Sequence, residues 1–228
     1  MYTPIYWWLA LALLLGQSKE ASSMTPILPG YVNQRAGEFD QISDDRKQQL
    51  DKLSNYVRSR IDAKLPTRLT FICTHNSRRS QLAQIWAMTA AANYGIPGVE
   101  AFSGGTEATA FNPRAIGALR RAGFEIPNPS DGNNPHYLVR YHPAAAPLEC
   151  FSKVYSHSPN PTMDFCAVMN CSQADRSCPN VAGAADRIAI AYDDPKAFDG
   201  TPQESAKYDE RCRQIAREML YVFSSIVH

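Results

Sequence analysis

"FICTHNSRRSQL", residues 71–82, carries an apolar run into Cys73, crosses a short polar loop and enters a helix-like stretch. A loop of residues 74–79 between a strand and a helix can turn its backbone N–H groups inward as an anion nest. A helix starting near Ser80 adds the positive end of its dipole. Arg79 supplies a planar, permanently charged fork for two oxygens of a tetrahedral oxyanion. The same positive field favours the thiolate of Cys73, the nucleophilic form, and Ser80 can donate a hydroxyl hydrogen bond to that sulfur. Nucleophile and oxyanion cradle are thus one object. Its candidate oxyanion-binding residues are Thr74, His75, Asn76, Ser77, Arg78 and Arg79.

Working outward, "RLTFI" (68–72) reads as a buried strand and "SQLAQIWAMTAAANY" (80–94) as a helix ended by Gly95. "VEAFS" (99–103) is a second strand, followed by a "GGTE" turn. "NPRAIGALRRAG" (112–123) is a helix with Asn112 as cap, Pro113 at its first position and Gly123 past its end. "KVYSHS" (153–158), "FCAVMN" (165–170) and "RIAIAY" (187–192) read as further strands, and residues 202–227 as a long terminal helix. The stretch 125–150, rich in Pro, Asn and His, reads as an irregular insert. Strands alternating with helices predict an α/β fold, doubly wound in three layers, with helices on both faces of a parallel sheet. In such sheets ligands bind beyond the carboxyl ends of the strands, which is where Cys73 falls.

Upstream, "TPILPGY" (25–31) reads as a linker, and "ISDDRKQQLDKLSNYVRSRIDAK" (42–64) as an amphipathic packing helix capped by Ser43. The organisation expected is a signal-like segment at 1–23, a linker and amphipathic helix at 24–67, and a catalytic domain at 68–228. The apolar run from Ile5 to about Gly16 is short for a membrane span and resembles the core of a secretory signal. Export to the periplasm follows if that segment is used, a cytoplasmic location if translation starts at Met24. No cysteine follows the run, so no lipid anchor or stable membrane attachment is expected.

The 228 residues are 44% hydrophobic and 20% charged, an ordinary globular composition. Net charge is +1, from 23 basic and 22 acidic side chains, which supplies no broad basic field for nucleic acid. Function is therefore sought in a local site. The six cysteines show no C-x-x-C pair and no finger-like spacing with histidine, so no structural zinc site is expected.

Two downstream stretches bear on the chemistry. A leaving group displaced by a thiolate needs a proton, and "DDP" (193–195) follows the last expected strand. By themselves Asp193 and Asp194 read equally as ordinary turn residues. "MNCSQADRSCPN" sets Cys171 and Cys178 seven positions apart across a helix-compatible segment. In a helix that spacing is roughly 10 Å along the axis at 1.5 Å per residue. A disulfide needs Cα atoms within about 7 Å, so joining the two requires the segment to unwind.

"CTHNSRRSQLA", with "SGGTE" and "YDDP", resembles the low-molecular-weight protein tyrosine phosphatases and the thioredoxin-coupled arsenate reductases built on the same four-stranded parallel fold. The resemblance spans about residues 68–227. It implies Cys73 as nucleophile, Arg79 as oxyanion clamp, Asn76 as a residue holding the loop, and Asp194 as general acid. It also implies a thiol relay through the C-x6-C pair, in the order Cys73, Cys171, Cys178. No bound cofactor is implied; the reductase branch draws electrons from an external thiol reductant such as thioredoxin.

Two departures stand out. The family usually has glycine where His75 stands and often cysteine where Arg78 stands. His75 is read as loop filler ahead of a further oxyanion donor, and Arg78 as facing solvent or a loop carboxylate. Lys196 and Ala197 follow the proline where phosphotyrosine enzymes of this fold commonly carry aromatics, although Tyr192 and Phe198 are close. Related reductases can hold potassium near the loop; Asn76 and Ser103 align with such a site, with no acidic ligand. Two activities result: reduction of arsenate to arsenite through the relay, or hydrolysis of phosphotyrosine or aryl phosphates through a phosphocysteine. Cys150, Cys166 and Cys212 are read as packing residues.

Overall fold

The computed structural model describes residues 27–129, 131–178 and 180–227. The signal-like segment 1–23 and the alternative start at Met24 lie outside the described residues. In chain order the elements are α1 (Ile27–Ala36), α2 (Asp44–Asp62), β1 (Thr67–Cys73), α3 (Arg79–Asn93), β2 (Val99–Gly105) and α4 (Pro113–Arg121). Then follow β3 (Tyr137–Val139), β4 (Leu148–Cys150), β5 (Phe165–Met169), α5 (Ser172–Ser177), β6 (Ala184–Ala189) and α6 (Glu204–Ser224).

Four strands form a parallel sheet in the order β2-β1-β5-β6. The expected parallel α/β architecture is what the chain adopts. Its two cores follow from the alternation of side chains along a strand. Leu69 and Phe71 of β1, Cys166 and Val168 of β5, and Ile188 of β6 face a large core shared with α1, α2, α3, α4 and α6. Ile72 of β1 with Phe165, Ala167 and Met169 of β5 face a smaller core closed by Ala174 of α5 and by Val181. Helices cover both faces, five on one and the short α5 on the other.

Some local expectations are corrected. The stretch read as a linker is helical from Ile27 onward. Pro29 and Gly30 sit in the first turn, where proline is tolerated because the first N–H groups have no intrahelical partner. Leu28 and Val32 are buried in the large core, so α1 packs against the domain. "KVYSHS" forms no strand; only Val154 makes an isolated bridge, to Gly105. The segment instead braces the loop after β1. The insert contains an antiparallel pair, β3 with β4. Residues 190–192, expected in the last strand, lie beyond β6, with Ile190 and Tyr192 still bonded through N–H groups to the carbonyls of Met169 and Asn170. Among the described residues no helix is long and apolar enough to cross a membrane.

Candidate active site

β1 ends at Cys73 and α3 begins at Arg79, one residue before the expected start. Between them every carbonyl from Cys73 to Arg78 is turned outward and accepts a hydrogen bond. Cys73 O accepts from Thr106 N at 3.1 Å, Thr74 O from Glu107 N at 2.8 Å, and Ser77 O from Asn112 N at 2.9 Å. His75 O accepts from Ser152 Oγ at 2.9 Å and Asn76 O from Gln81 Nε2 at 3.2 Å. Arg78 O takes Leu82 N at 2.9 Å. Among the described residues, no N–H from His75 to Arg78 finds a protein acceptor. Peptide units whose carbonyls all point out present their N–H groups inward, which is the nest the sequence called for.

Asn76 sets that shape. Its φ is +46°, a left-handed conformation that asparagine tolerates better than most residues. Its buried side chain accepts from Lys153 N at 2.9 Å and from Gln81 Nε2 at 3.1 Å, and donates to Ser80 Oγ at 2.8 Å. Ser80 Oγ lies 3.1 Å from Cys73 Sγ. Because Ser80 accepts from Asn76, its own hydrogen is left for the sulfur. The chain Asn76 to Ser80 to Cys73 thus aims one donor at the thiolate form. With Asn76 Oδ1 already holding two N–H donors, it does not fit as a potassium ligand.

The loop is wedged from the β2 side. A Cβ on Gly105 would stand 2.2 Å from Glu107 O and 2.7 Å from Thr74 O. One on Gly104 would stand 2.2 Å from Tyr155 Cα. Only glycine admits these approaches, which explains the "GG" of "SGGTE".

Asp194 comes in from the end of β6. Arg79 Nη2 reaches its Oδ2 at 2.7 Å, and Arg79 Nη1 donates to Tyr192 O at 3.0 Å. Arg78 Nε lies 2.8 Å from Asp194 Oδ1. Arg78 is buried, so it faces a loop carboxylate, one of the two orientations expected for it. Partial burial pushes the Asp194 carboxyl up, but Arg79, Arg78 and the Lys196 N–H together hold it below the usual carboxylate range. Asp193 is 97% exposed and lies 3.5 Å from Arg211. The aspartate that the resemblance singles out, Asp194, is thus the one held against the loop arginines, while Asp193 faces outward.

Cys73, His75, Ser77, Arg78, Arg79 and Asp194 line a narrow cavity whose walls stand too close to admit a water molecule. Thr74 and Asn76 support the loop outside that lining. Tyr192 is buried and Phe198 lies under Lys207, 5.1 Å from the ring centre, so neither aromatic lines the cavity. His75 stands 3.7 Å from Glu107, at the cavity's outer edge.

Cys171 and Cys178 flank α5 as its N-terminal and C-terminal caps. Extending the β1–β5 register past Ile72↔Met169 brings Thr74 beside Cys171, and Thr74 Oγ1 lies 3.5 Å from Cys171 Sγ. Cys73, Cys171 and Cys178 share the smaller core. Cys150, Cys166 and Cys212 lie in the larger one, where burial pushes all three thiols up, Cys150 and Cys212 to about 12. The six thiols thus divide into a set at the site and a set buried as protonated packing groups.

Sequence reasoning missed the braces: Ser152, Lys153, Gln81 and Asn134, the last of which donates to Ser152 O at 2.8 Å. No local pattern announces a residue whose partner lies 70 or more positions away, as Gln81 lies from Phe151.

Residues 68–136 match the family model of low molecular weight phosphotyrosine protein phosphatases. An arsenate reductase of Bacillus licheniformis is 28% identical over 155 residues, covering 68% of this chain and 92% of that protein. Arsenate reductase 2 of Staphylococcus epidermidis is 29% identical over 127 residues, 55% of this chain and 76% of the other. Among solved structures, a low molecular weight phosphotyrosine phosphatase of Vibrio cholerae aligns over 70% of this chain and 95% of its own, with a TM-score of 0.49 and 12% identity. An arsenate reductase in its oxidised state aligns over 70% and 98%, with a TM-score of 0.45 and 15% identity.

Proposed function

We propose, for a chain whose residues 68–136 match the low molecular weight phosphotyrosine protein phosphatase model and which is similar to arsenate reductases, reduction of arsenate to arsenite by a thiol relay that an external dithiol of the thioredoxin type resets. The observation that carries this reading is the grouping of Cys73, Cys171 and Cys178 in one core, with Cys171 3.5 Å from the loop residue Thr74.

Arsenate enters the nest of inward N–H groups, with Arg79 as its charged fork and Ser80 supporting the Cys73 thiolate. The thiolate attacks arsenic, and an arsenate oxygen leaves as water with a proton from Asp194. Cys171 then attacks the sulfur of Cys73. The sulfur–arsenic bond breaks and its electron pair stays on arsenic, which leaves as arsenite while Cys73–Cys171 forms. Cys178 attacks Cys171, giving Cys171–Cys178 and freeing Cys73 as thiolate. The dithiol reductant returns both cysteines to thiols.

Asp194 begins ionised between two arginines. Bound arsenate takes Arg79 for itself and brings negative charge beside the carboxylate. Both changes raise the carboxyl's proton affinity, so the substrate converts the resting ion pair into a usable acid.

Hydrolysis of aryl phosphates is the second reading, since the loop and Asp194 serve a phosphocysteine equally well. The lack of an aromatic side chain on the cavity wall favours the small anion. Steady-state arsenate turnover with a thioredoxin system, set beside aryl phosphate hydrolysis, tests the choice. The reductase reading requires arsenate turnover that disappears in Cys171→Ala and in Cys178→Ala. Turnover unaffected by either substitution overturns the relay.

A further inference from the structure

Arg187 belongs to the edge strand β6 and to none of the residues implicated above. Its guanidinium reaches across to the far half of α5. Nε donates to Cys178 O at 3.0 Å, and Nη2 donates to Asp175 O at 2.6 Å and lies 2.5 Å from Asp175 Oδ1. One side chain thus ties down a carbonyl inside the helix, the carboxylate beside it and the carbonyl of the residue that caps the helix end. Cys178 N in turn donates to Ala174 O at 2.9 Å. Carbonyls in the last turn of a helix have no intrahelical donor, and a cation there also meets the negative end of the dipole.

α5 is the segment that has to come apart. Cys171 caps one end and Cys178 the other, and helical geometry holds them beyond disulfide reach. Closing Cys171–Cys178 removes the last turn, and with it the arrangement that Arg187 grips. Whatever Arg187 contributes is therefore present with the two thiols and lost with the disulfide.

We propose that Arg187 is a redox latch, a positioning residue that holds α5 in the dithiol form and so raises the reduction potential of the Cys171–Cys178 pair. This rests on the relay reading and assigns it a regulator. The latch opposes the second exchange step but makes the final disulfide easier for an external dithiol to reduce, keeping the cycle from stalling in the oxidised state. Asp175 shares the role as the anionic half of the grip.

The test is a redox equilibrium in the Cys73→Ser background, so that Cys171 and Cys178 are the site thiols left to react. The protein is equilibrated in glutathione buffers, where two thiols and one glutathione disulfide give the protein disulfide and two glutathiones. Alkylation and mass spectrometry then quantify the peptide pair. Arg187→Gln is expected to shift the equilibrium towards the disulfide by about tenfold, which for a two-electron couple is about 30 mV. Arg187→Lys, which keeps the charge without the fork, should fall between the two. Asp175→Asn should move the potential in the same direction and serves as the independent variant should Arg187→Gln fold poorly. A shift below twofold in both, or one towards the dithiol, overturns the latch and leaves the relay standing. If no Cys171–Cys178 disulfide forms in any of the proteins, the relay itself fails and the latch with it.

Discussion

Asp194 Oδ2 lies 2.7 Å from Arg79 Nη2, so the aspartate proposed as acid and the arginine proposed as clamp are ion-pair partners. The pair spans the cavity, with Cys73 in the same lining. Arg78 completes the grip from the other side at 2.8 Å. On the proposed mechanism, an anion entering the nest competes with a carboxylate for Arg79, and displacing it readies the proposed acid.

That pairing has a signature in stability. Arg79, Arg78 and the Lys196 N–H outweigh burial and depress the Asp194 carboxyl below its ordinary 3.8. A carboxyl depressed in the folded state stabilises the fold above its unfolded pKa and loses that contribution as pH falls through the folded value. The wild type should therefore melt above Asp194→Asn at neutral pH. The gap should narrow once pH drops below about 4 and through the depressed value. Melting temperatures of both proteins across pH 2–7 check this; a gap independent of pH contradicts the charged pairing.

The loop itself was legible in the sequence because its chemistry is local. Cys73, Asn76, Arg79 and Ser80 lie within one strand–loop–helix unit, and the links from Asn76 to Ser80 to Cys73 are made inside it. Partners outside the local pattern were not legible: the resemblance implied Asp194 as acid but not what holds it. Asp194 and Asp193 are adjacent in the chain, and only the fold shows that one meets two arginines more than a hundred positions away while the other faces water. Pro29 and Gly30 look like breakers, yet a first helical turn tolerates them once Leu28 and Val32 have a core to enter. "KVYSHS" has strand-like composition, but Lys153 N is committed to Asn76 and Tyr155 to the glycine step of β2. Pairing with the loop overrode propensity there.

Arg79→Lys tests the fork as distinct from the charge. A lysine ammonium cannot hold Tyr192 O and also present a planar pair of N–H groups to two oxygens of a tetrahedral anion. Losing a preorganised donor to a developing charge typically costs about 10²- to 10³-fold in rate. The expected result is a fall of that order in single-turnover arsenite formation. The melting temperature at pH 7 should change much less than in Asp194→Asn, because the charge remains.

Arg46 links α2, which precedes the residues matched by the family model, to the loop that carries Asp194. Its guanidinium pairs with the buried Glu218 at 2.8 Å and sits 4.9 Å from the centre of the Tyr192 ring. Tyr192 in turn offers its carbonyl to Arg79. Arg46→Ala leaves the buried Glu218 without its cation, with the neutral Gln214 donating to it at 3.0 Å. Breaking a buried pair from one side costs about 3–5 kcal/mol, so denaturant titration should show a loss of that order. Adding Glu218→Gln should recover a substantial part of it, because the stranded charge is what makes the single substitution expensive. An additive loss in the double variant would mean that the two side chains act independently.

Cys178→Ala separates the relay's two exchange steps. Cys73 and Cys171 suffice to convert one arsenate to one arsenite, since both electrons come from closing Cys73–Cys171. Without Cys178 no second thiol opens that bond from within the protein. Mixed with excess arsenate and no external reductant, Cys178→Ala should therefore release one arsenite per chain and accumulate Cys73–Cys171, visible as a cross-linked peptide pair. The wild type should release one arsenite and accumulate Cys171–Cys178 instead. Cys171→Ala should release none, and its Cys73 should stay open to alkylation once arsenate is removed. The three outcomes differ in kind, so quench-flow arsenite measurement with peptide mapping reads the order of the thiols directly. Recovery of Cys171–Cys178 from the wild type together with a full arsenite burst from Cys171→Ala would show that the pair forms by adventitious oxidation and takes no part in the reduction.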